Sequence, residues 1–380
     1  MNDSTPRVGF YVHYHGMGHK HRTESILREL SCPASVVTSR IHSLDWNGPT
    51  LDEVIGIDCD NDEVHAEGLQ HAEDVSALHF APLWTPSVTR RVAQYTRWID
   101  ERRPDVMVVD VSAEISLLTR LASVPQIVMR QHGRRDDPAH LTAYEAAHSL
   151  LAPFPQSMED DITPDFVREK TIYLDGFCRF ECDPSTTGTK ASKRTSVSNF
   201  TDANDSLRVV VMFGRGGTGD VHEHLRNAAK SLPHSQWLVL GKEDNDDRRE
   251  TPTNLQFLGW QDSPDEILRS ADVVITSAGH NSVMELGRSR QRFIAIAEER
   301  PFEEQVRKSH ILDREGLAIG LSAWPSADQW PDLIGSALQL DVSRWDKVFQ
   351  RDGAIQAAEH IASVASWSHN KRQTAQLISL

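Results

Sequence analysis

Between residues 277 and 305 the polar residues fall at spacings that suit a phosphorylated ligand. Ser277-Ala278-Gly279-His280 is a small-residue turn after the strand Val273–Ile275, and a helix opens at Asn281-Ser282. A helix start carries unpaired N–H groups and a partial positive charge, so this turn is a seat for a phosphate. Glu285 lies one turn further in, where a carboxylate reaches ribose hydroxyls, and Glu304-Gln305 follow the next strand. A second stretch, Gly214-Arg215-Gly216-Gly217-Thr218, lets the backbone approach a diphosphate, with Arg215 to neutralise it and Thr218 to cap or bind it. It is not a Walker loop, since no Gly-Lys-Ser/Thr follows, and a plain turn with an exposed arginine is its other reading. A third, Gly16-Met17-Gly18-His19-Lys20-His21-Arg22, sets His19 directly behind two glycines. An imidazole titrates at about 6.5 and can take a proton from a hydroxyl at neutral pH. His19 is either a general base or a helix-capping histidine; Arg22 holds a phosphate or fixes the loop. Phosphate seat, ribose acid and polar pair together point to a nucleotide-sugar site.

The elements that must position these residues alternate between strand and helix. Arg7–Tyr14 is a β-branched and aromatic strand, and the following helix has the apolar stripe Ile26, Leu27 and Leu30. Further strands are expected at Ala34–Thr38, Asp105–Asp110 and Pro125–Arg130, with helices at Val88–Arg102, Ser112–Ala122 and Leu141–Leu151. Residues 45–85 are loop-rich and acidic, with His65, His71 and His79 scattered through them, and yield no assignment. Residues 183–206 are Ser/Thr/Asn/Asp-rich with hardly an apolar residue, which reads as a linker. A second α/β unit starts with the strand at Leu207, and a helix near Ala354–Ala365 precedes a tail, 368–380, expected to fray. The fold class is α/β: two doubly wound, Rossmann-like domains at 1–182 and 207–350, a linker at 183–206, and a terminal segment at 351–380.

The chain has 380 residues, 39% hydrophobic and 25% charged, and a formal charge of −15. That is enough chain for two cores. The acidic balance excludes general nucleic-acid binding, which needs a basic footprint. Cys32, Cys59, Cys178 and Cys182 form no zinc-like pairs of pairs and read as reduced apolar residues. His13 and His15, two apart on a strand, share a face; no ligand partner stands at metal spacing, and no metal is called for. The start MNDSTPRVGF has no apolar signal core, and no run approaches the roughly 20 apolar residues of a spanning helix. A cytoplasmic location is expected, with peripheral membrane contact left open.

The segment 277–305 resembles the donor-binding half of GT-B glycosyltransferases, a superfamily that includes the family 28 peptidoglycan N-acetylglucosaminyltransferase type and the plant and antibiotic UDP-glycosyltransferases. Ser277-Ala278-Gly279-His280-Asn281-Ser282-Val283-Met284-Glu285 falls position by position on the latter's His-Cys-Gly-Trp-Asn-Ser-x-x-Glu box. Ser277 stands for the first histidine and His280 for the tryptophan. Gly16 to Arg22 resembles the superfamily's acceptor-side loop, Gly-x-Gly-His-x-x-Arg, and is complete here.

The resemblance implies an inverting transferase that moves a sugar from a nucleotide-diphospho-sugar, with UDP the expected nucleotide, to an acceptor hydroxyl. His19 is the implied general base. Asp110 either orients it or caps the helix near Ser112. Gly16, Gly18 and Arg22 form the acceptor loop, with His132 a further acceptor-side candidate. Gly214, Arg215, Gly216, Gly217, Thr218, Ser277, Gly279, His280, Asn281 and Ser282 hold the diphosphate, Glu285 the ribose, Trp260 the base, and Glu304 and Gln305 the donor sugar. No cofactor is implied beyond the donor itself. The acceptor is a small molecule, a glycan or a lipid-linked sugar. In the fold so implied the two domains face a cleft and the last helix crosses back to the first domain. A UDP-sugar hydrolase or 2-epimerase, or a non-catalytic nucleotide-sugar-binding protein, is the alternative on the same scaffold. The cluster Arg288, Arg290 and Arg292, where relatives show Gly-x-Pro, departs from the pattern.

Overall fold

The structure, a computed structural model, describes residues 5–178, 206–213, 221–241, 250–261 and 264–378. All but the last residue of the expected linker, and the whole loop Gly214 to Thr218, lie outside the described residues. The chain divides into two compact units: Met1–Gln156 with Asp161–Arg179 and Arg351–Leu380, and Ser157–Asp160 with Phe180–Gln350.

The first unit holds β1 (Val8–Val12), β2 (Ala34–Thr38), β3 (Leu51–Gly56), β4 (Val106–Asp110), β5 (Gln126–Met129), β6 (Ser149–Ala152) and β7 (Thr171–Tyr173). They form one sheet in the order β3-β2-β1-β4-β5-β6-β7, every pair parallel. The second unit repeats the plan with β8 (Leu207–Met212), β9 (Ser235–Leu240), β10 (Leu255–Phe257), β11 (Val273–Ser277), β12 (Phe293–Ile296) and β13 (Ile319–Leu321). Their order is β10-β9-β8-β11-β12-β13, again all parallel. In each sheet the strand order reverses at its centre, between β1 and β4 and between β8 and β11. Doubly wound sheets bind ligands at such switch points, beyond the carboxyl ends of the strands.

A parallel sheet covered on both faces needs strands that are apolar throughout. β1, β4, β5, β11 and β12 are buried at every residue. From β1, Val8, Phe10 and Val12 pack with Ile26, Leu27, Leu30, Ala357 and Ile361. Tyr11 faces the other core, with Tyr95, Trp98 and Ile99. Gly9 lies in this strand because a Cβ there would fall 2.2 Å from Met107 Sδ and 2.7 Å from the Trp98 ring.

One unassigned stretch is resolved and two expectations are corrected. Residues 45–85 contain strand β3 and a short helix, Ala66–Leu69. The helix expected at Leu141–Leu151 runs instead over Pro138–Ala146. Asp137 caps its start by accepting from the Ala139 and His140 N–H groups, both at 3.1 Å, and the chain turns extended at Ala147 to enter β6. The tail expected to fray is part of the helix Gly353–Ile378. Its His369 Nδ1 lies 3.3 Å, and its Arg372 guanidinium 2.9 Å, from the fully buried Asp105 carboxylate, so that stretch is tied to its own unit.

Candidate functional site

At the first switch point β1 ends at Val12, and the loop His13 to Gly16 feeds the helix Met17–Glu29. Gly16 caps this helix with a φ of +86°, a left-handed conformation that favours glycine. His19 therefore sits in the first helical turn, Gly18 beside it on the exposed face, and Asp110 ends the adjacent strand β4. His19 Nδ1 lies 2.7 Å from Asp110 Oδ2. Arg22 Nη2 also stands 3.2 Å from Nδ1, but the carboxylate, which can only accept, is the nearer partner, so in the neutral ring Nδ1 carries the proton and Nε2 keeps its lone pair. The Arg22 guanidinium stands 3.6 Å from Asp110 Oδ1. Burial alone would raise the Asp110 pKa, but the charges of Arg22 and His19 outweigh it and hold the carboxyl well below the usual carboxylate range. The alternative role for Asp110 is filled by another residue: Ser112 Oγ caps the helix Ala113–Leu121, accepting from Ile115 N–H at 3.3 Å.

His13 and His15 lie beyond the strand on which their spacing was read. His13 Nδ1 accepts from the His15 N–H at 3.2 Å, and its ring stacks on Tyr14. Burial, then the charges of His19 and His15, lowers the His13 pKa to about 4. His132 is buried and stacked on Phe154, with ring centroids 3.8 Å apart.

At the second switch point β11 runs through Ser277, and the helix His280–Arg288 follows after Ala278 and Gly279. Its N-cap, Gly279, brings no side chain to the first N–H groups, and no acidic residue stands in its first turn. Those donors suit an anionic ligand. Gly279 itself has φ −65°, open to any residue, and a Cβ there would come no nearer than 3.6 Å to Ser277 Oγ. Its bareness matches the close approach of a ligand. Asn281, Ser282 and Glu285 are half-buried along this helix.

Gln305 joins the turn from the helix Glu304–Arg314. Its Oε1 accepts from Ala278 N–H at 3.1 Å and from Glu298 N–H at 2.9 Å. The Gln305 carbonyl thus staples two loops, and only its amide N–H groups remain as donors to a ligand. Glu304 is half-buried beside it, directly after Phe302 and Glu303, whose φ of 59° and 53° lie in the left-handed region. Such strained pairs gather at ligand sites. Trp260 stands 55% exposed on the loop after β10.

Several residues escape the sequence reading. Lys308, one turn on from Gln305, is 2% exposed, with Nζ 3.2 Å from His280 Nδ1. In the first unit Asp137 accepts from His79 Nε2 at 2.9 Å and His140 Nδ1 at 2.5 Å, and Arg135 Nη1 reaches His140 Nε2 at 2.9 Å. The donor atoms of His79, Asp137 and His140 lie within 4.8 Å of one another. An arginine donor on Nε2 requires that nitrogen unprotonated, with the ring proton on Nδ1 towards Asp137, which describes a closed hydrogen-bond network. Burial, then Arg135, lowers the His140 pKa to about 4; Asp137, despite its burial, is brought to about 2 by hydrogen bonds from His140 and His79. The strings Asp58-Cys59-Asp60 and Asp60-Asn61-Asp62 have Asp-x-Asp spacing. Their carboxylates are engaged: Asp58 by Arg90 at 2.6 Å, Asp60 by the Tyr14 hydroxyl at 2.9 Å, Asp62 by Arg40 at 2.6 Å. The cluster after the box also has an account: Arg290 pairs with Asp346 at 2.7 Å and Arg288 lies over the Phe349 ring, while Arg292 is half-buried.

Residues 237–322, from β9 to β13, match the glycosyltransferase family 28 C-terminal domain. No curated protein matches the chain in sequence. Solved structures match over nearly its full length. The glycotransferase of kitacinnamycin gives a TM-score of 0.66 at 15% identity, over 95% of this chain and 99% of that one. Spinosyn rhamnosyltransferase SpnG, solved with thymidine diphosphate, gives 0.59 at 16%, over 97% and 100%. Arabidopsis thaliana UGT89C1, solved with UDP, gives 0.59 at 12%, over 95% and 100%. Among the described residues no helix is long and apolar enough to cross a membrane. The chain thus shares the fold of these solved glycosyltransferases, and its residues 237–322 match the family 28 C-terminal domain.

Proposed function

We propose that the protein is an inverting glycosyltransferase that takes a sugar from a pyrimidine nucleoside-diphosphate donor, UDP first, and joins it to an acceptor hydroxyl. The observation that carries this reading is the pair His19 Nδ1–Asp110 Oδ2 at 2.7 Å, at a switch point, behind a glycine-rich loop. Asp110 holds the ring proton on Nδ1. Nε2 takes the proton of the acceptor hydroxyl, the acceptor oxygen attacks the anomeric carbon, and the nucleoside diphosphate departs with the electron pair of the broken bond. The negative carboxylate stabilises the imidazolium so formed.

The departing charge is met by the N–H groups at the start of the helix His280–Arg288, a preorganised arrangement. Gly214 to Thr218, with Arg215, supply further diphosphate contacts in this scheme. Glu285 holds the ribose, Trp260 the base, and Glu304 with the Gln305 amide the donor sugar. The scheme needs no metal and no cofactor beyond the donor. The uridine preference rests on the resemblance of the box at 277–285; neighbours of the same fold were solved with UDP and with thymidine diphosphate.

The test is His19→Ala. Transfer from a UDP-sugar should be lost while UDP binding is kept; equal loss of both would remove the base role. Release of UDP from the donor with no acceptor present, at the full rate, would assign a hydrolase on the same site.

A further inference from the structure

The helix Glu304–Arg314 sends two side chains, three residues apart and hence on one face, to the turn at 277–280. Gln305 binds its backbone, as described. Lys308 is the second, and its environment is unusual. The side chain is 2% exposed, and its ammonium lies 3.2 Å from Nδ1 of His280, the first residue of the helix that follows the turn. Lysine is rarely so buried. An ammonium has donors only, so the His280 Nδ1 it meets is an acceptor. The imidazole is then neutral, with its proton on Nε2. A positive charge has been placed at the positive end of a helix, beside a turn whose N-cap is a glycine without a side-chain acceptor. Ammonium, imidazole N–H and helix start all favour the same kind of ligand, a phosphate group.

We infer that Lys308 is a positioning residue of the donor site: it holds His280 as an Nε2–H donor and adds a fixed positive charge for the diphosphate of a nucleotide-sugar. This rests on the transferase reading above and adds a residue to it. The lysine is predicted to act on the diphosphate and not on the nucleoside.

The test compares UDP with uridine by calorimetry on the full chain. For Lys308→Met, affinity for UDP should fall by about ten- to a hundredfold, the range of hydrogen bonds to charged groups, while uridine affinity is unchanged. His280→Ala should show the same selective loss. The double variant should lose no more than the larger single effect, since both residues serve one contact. If Lys308→Met does not fold, His280→Ala decides alone. Wild-type UDP affinity in His280→Ala, or equal loss of UDP and uridine in Lys308→Met, overturns the inference while leaving the transferase reading standing. A wild-type protein that binds uridine and UDP equally, or neither, overturns both.

Discussion

Asp110→Asn tests the base without changing the shape of the site. The native carboxylate accepts from His19 Nδ1 at 2.7 Å and faces Arg22 at 3.6 Å. The amide is isosteric but neutral. If its oxygen faces His19, the imidazolium formed on proton abstraction loses its counter-charge. If its NH2 group faces His19, the ring proton is driven to Nε2 and the base is lost outright. Two unit charges about 4 Å apart at an effective dielectric of about 20 attract by about 4 kcal/mol. That is a rate loss of about a thousandfold, inside the range of about 10²–10⁴ typical of general base catalysis. The assay is the initial rate of sugar transfer, or of nucleotide release, from the donor the wild type uses. UDP binding serves as the control, at a temperature well below the melting transition, because Arg22 also loses its buried partner. A rate within tenfold of wild type, with UDP binding intact, would refute the reasoning.

Gly279→Ala should fold with wild-type stability, since its Cβ comes no nearer than 3.6 Å to Ser277 Oγ, yet bind UDP at least several-fold more weakly; a melting curve and a titration decide, and unchanged binding would mean no ligand approaches that Cα. Gly287→Ala should do the reverse. Its Cβ would meet the buried Trp345 ring at 2.2 Å, and that ring is anchored by Nε1 donating to Leu317 O at 3.0 Å. A loss of about 1–3 kcal/mol in urea unfolding is expected, with UDP binding kept. Finally, His13 and His140 have pKa values of about 4 against an ordinary 6.5. Between these values the unfolded chain binds protons that the folded chain refuses. Their contribution to stability is therefore full above about pH 6.5, falls on acidification towards pH 4 and then levels off, by at most about 3 kcal/mol each. Urea curves from pH 7.5 to 4.5 should show this slope, and His13→Gln should flatten it; a stability that rises on acidification would contradict it.

What the sequence reveals here follows from how local each signal is. The central strands are legible because a parallel sheet buried on both faces demands unbroken apolar runs, as in Val106–Val109 and Val273–Ile275. β3 is hidden because, as an edge strand, Leu51–Gly56 is only half-buried and mixes acidic with apolar residues. The small-residue turn at 277–280 before its helix, and the glycine loop that leads to His19, can be read because glycines, a helix start and polar residues are close in the chain. Contacts made across the fold leave no such trace. His79 meets Asp137 from 58 residues away, and His369 meets Asp105 from 264 away, which is why that tail looked unsupported. Lys308 is missed for another reason: a lysine on a helix reads as solvated surface, and only the packing reveals it as buried.

The most direct measurement is calorimetric and thermal-shift titration of purified protein with UDP, GDP and dTDP, on wild type and Glu285→Ala. Selective stabilisation by a pyrimidine nucleoside diphosphate, UDP first, is expected. The gain should be about 2.7 kcal/mol at a hundredfold excess over Kd, and it should be lost in the variant. No stabilisation by any of the three would contradict the central claim and return the turn at 277–285 to a purely structural role.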